Sequence, residues 1–144
     1  MAGSVSQQEV SLDQALQLLE VVRTAASGQG LAVAAAVADR GGNAVASARM
    51  DGAALGAMTL AVDKAYTAVL WQVPTGEFMA STQPGGADWG FNTTTGGRVV
   101  VYAGGLPLFE DGMLIGGLGV SGGTGEQDEQ CAQAAIDAAG LTTG

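Results

Sequence analysis

The stretch RVVVYAGGLPLFEDGMLIGGLGVS, residues 98–121, sets three apolar runs, RVVVYA, LPLF and MLIGGLGVS, between two glycine-bearing breaks. Asp111-Gly112 in the second break is a strong hairpin signal, because both residue types tolerate the backbone angles of a tight two-residue turn. The three runs therefore read as an antiparallel meander. Upstream, LAVAAAVAD (31–39) and AVASARM (44–50) read as two further strands joined at RGGN, although alanine is a poor strand former.

Helices flank these strands. Ser11 with Gln14 makes a capping box, and Leu12, Ala15, Leu16, Leu19, Val22 and Ala26 recur at helical spacing, so a first helix should end near Gly28–Gly30. AALGAMTLAVDKAYTAVLW (53–71) is apolar on nearly every side, the pattern of a helix buried on more than one face, with part of that burial expected from another subunit. Thr124 with Gln127 caps a last helix. Between them, residues 72–97 hold two of the three prolines and six glycines, so a short helix near Glu77 and otherwise loop are expected. Strands in blocks with helices between them indicate an α+β fold, an antiparallel sheet covered by helices.

A chain of 144 residues fits one domain, taken as 1–144 with 1–10 a flexible N-terminal segment. No apolar run approaches the roughly 20 residues that span a bilayer, and the N-terminus has no export signal, so a cytoplasmic location is expected. Five basic against fourteen acidic residues give a net charge of −9, which disfavours nucleic acid and anionic membranes as partners. With no histidine and one cysteine, the usual zinc and non-haem iron ligand sets, histidine-based triads and an intrachain disulfide are excluded. No metal site is expected.

The last helix separates two kinds of acid. Glu126, Glu129, Gln130, Gln133 and Asp137 share the solvent stripe, whereas Asp128 aligns with Cys131, Ala132 and Ala135 on the inner face. Asp128 either serves the helix dipole or points to the mouth of the SGGTG turn, where it would face Lys64. Lys64, among apolar neighbours in the second helix, either snorkels to water or is buried against an acid with a shifted pKa. Asp39 and Arg49, at the ends of the first two strands, either approach it or face solvent. Cys131 reads as a small core residue, or as a nucleophile if a base adjoins it. Trp89 and Phe91 are lid residues over a pocket or plugs of the core. The glycine-rich turn lacks the Walker and dinucleotide patterns, so nucleotide binding is not supported.

The order DRGGN (39–43), ARMDGA (48–53), DKAYTA (63–68), GGLPL (104–108), EDG (110–112) and GLGVSGG followed by EQDEQCA (117–132) resembles the GlcG-like, haem-degrading-domain family over nearly the whole chain from Leu12 to Ala139. The resemblance implies a profilin-like three-layer α/β/α sandwich around a five-stranded antiparallel sheet, and a homo-oligomer, up to an octamer. It carries the family's pocket onto Asp39, Arg49, Lys64, Gly104, Gly105, Ser121, Gly122, Glu126 and Asp128. It also brings haem as a cofactor, with Tyr66 and Cys131 as axial-ligand candidates inside the matched motifs and Tyr102 and the methionines as further candidates.

Three functions follow. The favoured one is a cofactor-independent acid–base enzyme of isomerase, cyclase or hydrolase type on a small, anionic organic substrate. In it Lys64 and Arg49 bind and polarise the substrate, Asp39 or Asp128 moves a proton, and Tyr66, Trp89 and Phe91 complete the pocket. The alternative is a haem-binding or haem-sensing module, and the third a non-catalytic oligomeric accessory protein.

Overall fold

The structure, a computed structural model, describes residues 3–144. Its elements run α1 (Leu12–Gly28), β1 (Ala34–Ala38), β2 (Ala44–Arg49), α2 (Ala57–Trp71), β3 (Gly105–Glu110), β4 (Met113–Ser121) and α3 (Gly125–Ala138). The sheet is antiparallel throughout, in the order β2-β1-β4-β3. Helices α1 and α3 lie side by side on one face, and α2 lies alone on the other.

Alternation along the strands explains why alanine and glycine are tolerated here. In β1, Ala35 and Val37 face α1 and α3, while Ala34, Ala36 and Ala38 face α2. In β4, Leu118 and Val120 join the α1/α3 core, while Gly117 and Gly119 face α2. A Cβ on Gly119 would run into the Ala61 carbonyl oxygen, and one on Gly117 would lie 2.5 Å from that of Ala65. Helix α2 answers with Ala57, Ala61, Ala65 and Ala68. Its backbone therefore seats almost directly on the sheet, and the poor strand formers are the residues that permit this close approach. The larger side chains, Leu18, Leu106, Leu108, Ile115 and Ile136 among them, fill the other layer.

Both capping boxes form: Ser11 Oγ accepts from Gln14 N at 3.0 Å and Thr124 Oγ1 from Gln127 N at 3.2 Å. Asp111 and Gly112 take positive φ at the β3–β4 turn. The short helix expected near Glu77 is a single 3-10 turn, Thr75–Phe78.

Two expectations are corrected. The sheet has four strands, where five were expected, because residues 98–103 do not join it. Val99 and Val100 are buried, yet their stretch follows α2: Val100 N donates to Thr67 Oγ1 at 3.0 Å, and that hydroxyl lies 3.3 Å from Arg98 O. A helix side chain thus occupies the backbone groups that a neighbouring strand would otherwise pair. The N-terminal segment 1–10 is not free along its whole length, since Val10 is buried and its N–H bonds Ile115 O at 2.9 Å; residues 1 and 2 lie outside the described residues. Among the described residues no helix is long and apolar enough to cross a membrane.

Candidate functional site

The site lies where the C-terminal end of β4 meets the first turn of α3 and the flank of α2. Lys64 extends from α2 beneath the Tyr102–Gly105 segment and is fully covered. Its Nζ donates to Asp128 Oδ2 at 3.1 Å and to Val120 O at 2.9 Å, and lies 5.1 Å from the centre of the Tyr102 ring. Asp128, equally covered, uses its second oxygen to accept from Gly123 N at 2.8 Å. The lysine does not snorkel. It runs inward because Gly104 leaves the space: a Cβ there would sit 2.5 Å from Nζ and 2.6 Å from Val120 O, and the backbone takes φ +132°. Gly105 gives the same freedom beside the Lys64 carbonyl.

Burial pushes the Lys64 pKa down from its ordinary 10.5, and the charge and hydrogen bond of Asp128 oppose that shift. Each buried side-chain nitrogen and oxygen among the described residues has a partner, so the ion pair is closed as well as covered. Two buried threonines, Thr67 and Thr75, hold the roof. Thr67 anchors Val100, and Thr75 Oγ1 donates to Tyr102 O at 2.7 Å and accepts from Gly105 N at 3.0 Å.

Of the residues singled out from sequence, Lys64, Asp128, Gly104, Gly105, Ser121 and Gly122 are brought together. Ser121 ends β4, and Gly122 takes φ +138° at the turn leading to Asp128. Glu126 is exposed one turn edge away, on an open groove with Ala103 and Glu129. The others lie elsewhere. Asp39 does not approach Lys64: it sits at the opposite end of β1 from the strand's pairing with Ser121, and its Oδ1 accepts from the N–H groups of Gly41 and Asn43 at 2.9 and 3.0 Å. It is a turn-forming aspartate. Arg49 is exposed on the edge strand β2, separated from β4 by β1. Tyr66 points away from Lys64, its ring 3.7 Å beneath the Arg98 guanidinium, which in turn pairs with Asp63 at 3.0 Å. Phe91 packs on Trp71 and Phe78 at the far end of α2, two helical turns from Lys64, and Trp89 is exposed to solvent. Neither is a lid over the ion pair.

Cys131 is enclosed in the α1/α3 core, with its Sγ 3.7 Å from the Gln29 Nε2 donor, and burial followed by the Asp128 charge pushes its thiol pKa up. It is neither a presented axial ligand nor an activated nucleophile.

The sequence profile of the family described as haem degrading protein HbpS-like matches residues 10–137. The chain belongs to this HbpS-like family. Over 128 residues it is 37% identical to an uncharacterized 15.0 kDa protein of Citrobacter freundii from the dhaT-dhaS intergenic region, covering 89% of this chain and 90% of that one. The Klebsiella pneumoniae protein ORFY superposes with a TM-score of 0.95 at 36% identity, covering 97% of each chain. PduOC, solved as a heme complex, superposes with a TM-score of 0.89 at 38% identity, covering 94% of this chain and 98% of that one.

Proposed function

We propose that this protein is a small-molecule-binding module whose ligand is haem. The observation that carries this reading is the likeness, over 94% of the chain, to a relative solved with haem bound. Haem iron takes an axial His, Cys, Met or Tyr side chain. This chain has no histidine, Cys131 is enclosed, and Tyr66 is half-buried under Arg98. Tyr102 is the exposed tyrosine, 38% accessible beside the groove lined by Ala103, Glu126, Glu129, Gln130 and Gln133, and would hold the iron through its phenol oxygen; Met79 and Met113, 48% and 45% exposed, are the other exposed side chains of axial-ligand type among the described residues. Haem would supply a redox-active metal and a flat apolar body at that surface. The chain's own part is positioning, with Thr75 fixing the Tyr102 backbone and the Lys64–Asp128 pair supporting its ring from below. Leucines left on the surface, Leu12, Leu16 and Leu55, fit assembly as a homo-oligomer. Titration of the purified protein with haemin tests the reading. A Soret shift saturating near one equivalent per chain supports it, and an unshifted spectrum removes it.

The Lys64–Asp128 pair favours a second reading, the cofactor-independent acid–base enzyme. A lysine with a lowered pKa beside a carboxylate is equipment for moving a proton. Both groups are covered, so that chemistry requires the Tyr102–Gly105 roof to lift and admit a substrate.

A further inference from the structure

The sheet has two edges, and the chain blocks only one of them. On β3, Val120 N bonds Gly104 O, so by antiparallel alternation Gly105, Pro107 and Phe109 present their backbone groups outward. Each outward N–H there is taken or absent. Gly105 N donates to Thr75 Oγ1 at 3.0 Å, Pro107 has no N–H, and Phe109 exchanges hydrogen bonds of 2.9 and 3.0 Å with Thr142. On β2, Met50 N donates to Val33 O at 2.9 Å, so the pairs Val33–Met50 and Ala35–Ala48 bond inward, and the N–H and C=O groups of Ser47 and Arg49 point outward. Among the described residues none of these outward groups has a partner. The strand carries no proline, and its one irregularity lies at the other end, opposite Val37 and Ala38. An open edge of small side chains is a template for another strand.

The surroundings point to a second copy of this chain as the occupant. Beside the edge, on the α1 side, lies an apolar cleft floored by Leu19, Val22 and Val33 and bordered by the exposed Leu16, with exposed Leu12 one helical turn before it. Around the cleft and its outward continuation, Glu20, Arg23, Arg49 and Asp51 balance in charge. Of five basic and fourteen acidic residues these take two of each, which leaves three against twelve elsewhere. Identical acidic copies therefore meet with least repulsion at this edge, and no net charge there draws a basic peptide instead.

The edge also complements itself. With a two-fold axis at Ala48, Ser47 stands opposite Arg49 of the other copy and Arg49 opposite its Ser47, so every outward N–H and C=O of these residues finds its match. Ala48 then meets Ala48 as a non-hydrogen-bonded pair, whose Cβ atoms stand about 4.5–5.5 Å apart, a gap that alanine leaves uncrowded. A bare two-stranded ribbon is marginal in water, and the leucine-bordered clefts flanking the seam supply the apolar burial. We propose that two copies of this chain pair β2 to β2 about this axis and join their four-stranded sheets into one. The inference rests on the homo-oligomer reading and is independent of haem.

Sedimentation and cross-linking of the full chain test it. Ala48→Cys should oxidise to a covalent dimer that a thiol reductant reverses, since Cys131 is buried, whereas Gln83→Cys on the exposed 72–97 loop should yield roughly tenfold less. Ala48→Lys and Ala48→Glu, substitutions at an exposed position, should each keep the fold by circular dichroism but lower the sedimenting mass by about half or more, because like charges then oppose one another across the axis. Mixing the two variants should restore the wild-type mass, because the opposed charges become opposite. A wild type that sediments as a monomer overturns this seam and the homo-oligomer reading together. An oligomer whose mass neither charge variant changes, or an Ala48→Cys variant that stays uncross-linked within an oligomer, overturns the seam alone.

Discussion

Lys64 Nζ and Asp128 Oδ2 stand 3.1 Å apart with side chains 1% and 2% exposed, so one buried ion pair joins α2 to α3 across the end of β4. Removing one partner leaves the other charge unpaired in the interior, which costs about 3–5 kcal/mol, whereas replacing both by apolar groups of similar volume is close to neutral. Asp128→Ala should therefore lower the unfolding free energy by about that amount in a denaturant titration, and Lys64→Met/Asp128→Leu should recover most of it. If Asp128→Ala alone is neutral, the pair is not a brace.

The same lysine makes stability depend on alkaline pH. Its folded pKa lies below 10.5, chiefly through burial, while in the unfolded chain it keeps its proton up to that ordinary value. Between the two pKa values the unfolded state binds more protons, so the stability contributed by Lys64 rises with pH across that window, and its cost is fully present below it. The gap in stability between the wild type and Lys64→Met/Asp128→Leu should move in favour of the wild type as pH approaches 10.5. A constant gap across that range contradicts the shift.

Glycines should divide sharply by environment. Gly119→Ala drives a methyl into the Ala61 carbonyl, and Gly104→Ala places one 2.5 Å from Lys64 Nζ at a positive φ. Each should destabilise by about 2–4 kcal/mol, read as a lowered unfolding midpoint. Gly28, inside the last turn of α1 with open space around it, should gain about 0.5–1 kcal/mol on substitution by alanine.

Thr67→Val keeps the shape and removes the hydroxyl that accepts from Val100 N. The stranded buried amide should cost about 1–3 kcal/mol. Amide hydrogen exchange at Val99 and Val100 should accelerate more than in β4, because the segment has no sheet partner to fall back on.

Local signals carried most of the fold. The two capping boxes, the Asp111-Gly112 turn and the strand pair around residues 40–43 depend on residues within a few positions of one another, and all formed. The inner-face position of Asp128 followed from helical period alone, and it met Lys64 because Ala61, Lys64 and Ala65 share the face seated on Gly117 and Gly119. Misreadings arose where a distant group decided. Val99 to Val101 have high strand propensity, but Thr67, some thirty residues earlier, holds their backbone. Asp39 looked available for Lys64 because spacing does not reveal that the Gly41 and Asn43 amides already occupy it. Thr75 and Tyr102 gave no pattern, since their roles depend on where the 72–105 excursion returns to the sheet.

The central claim, that this HbpS-like chain binds haem through the exposed Tyr102, is tested most directly by parallel haemin titrations of the wild type and Tyr102→Phe, followed by absorption and electron paramagnetic resonance. The account predicts a saturable Soret shift with a ferric phenolate signature in the wild type and the loss of that signature in the variant. An unshifted Soret band in the wild type, or identical spectra for the two proteins, would contradict it.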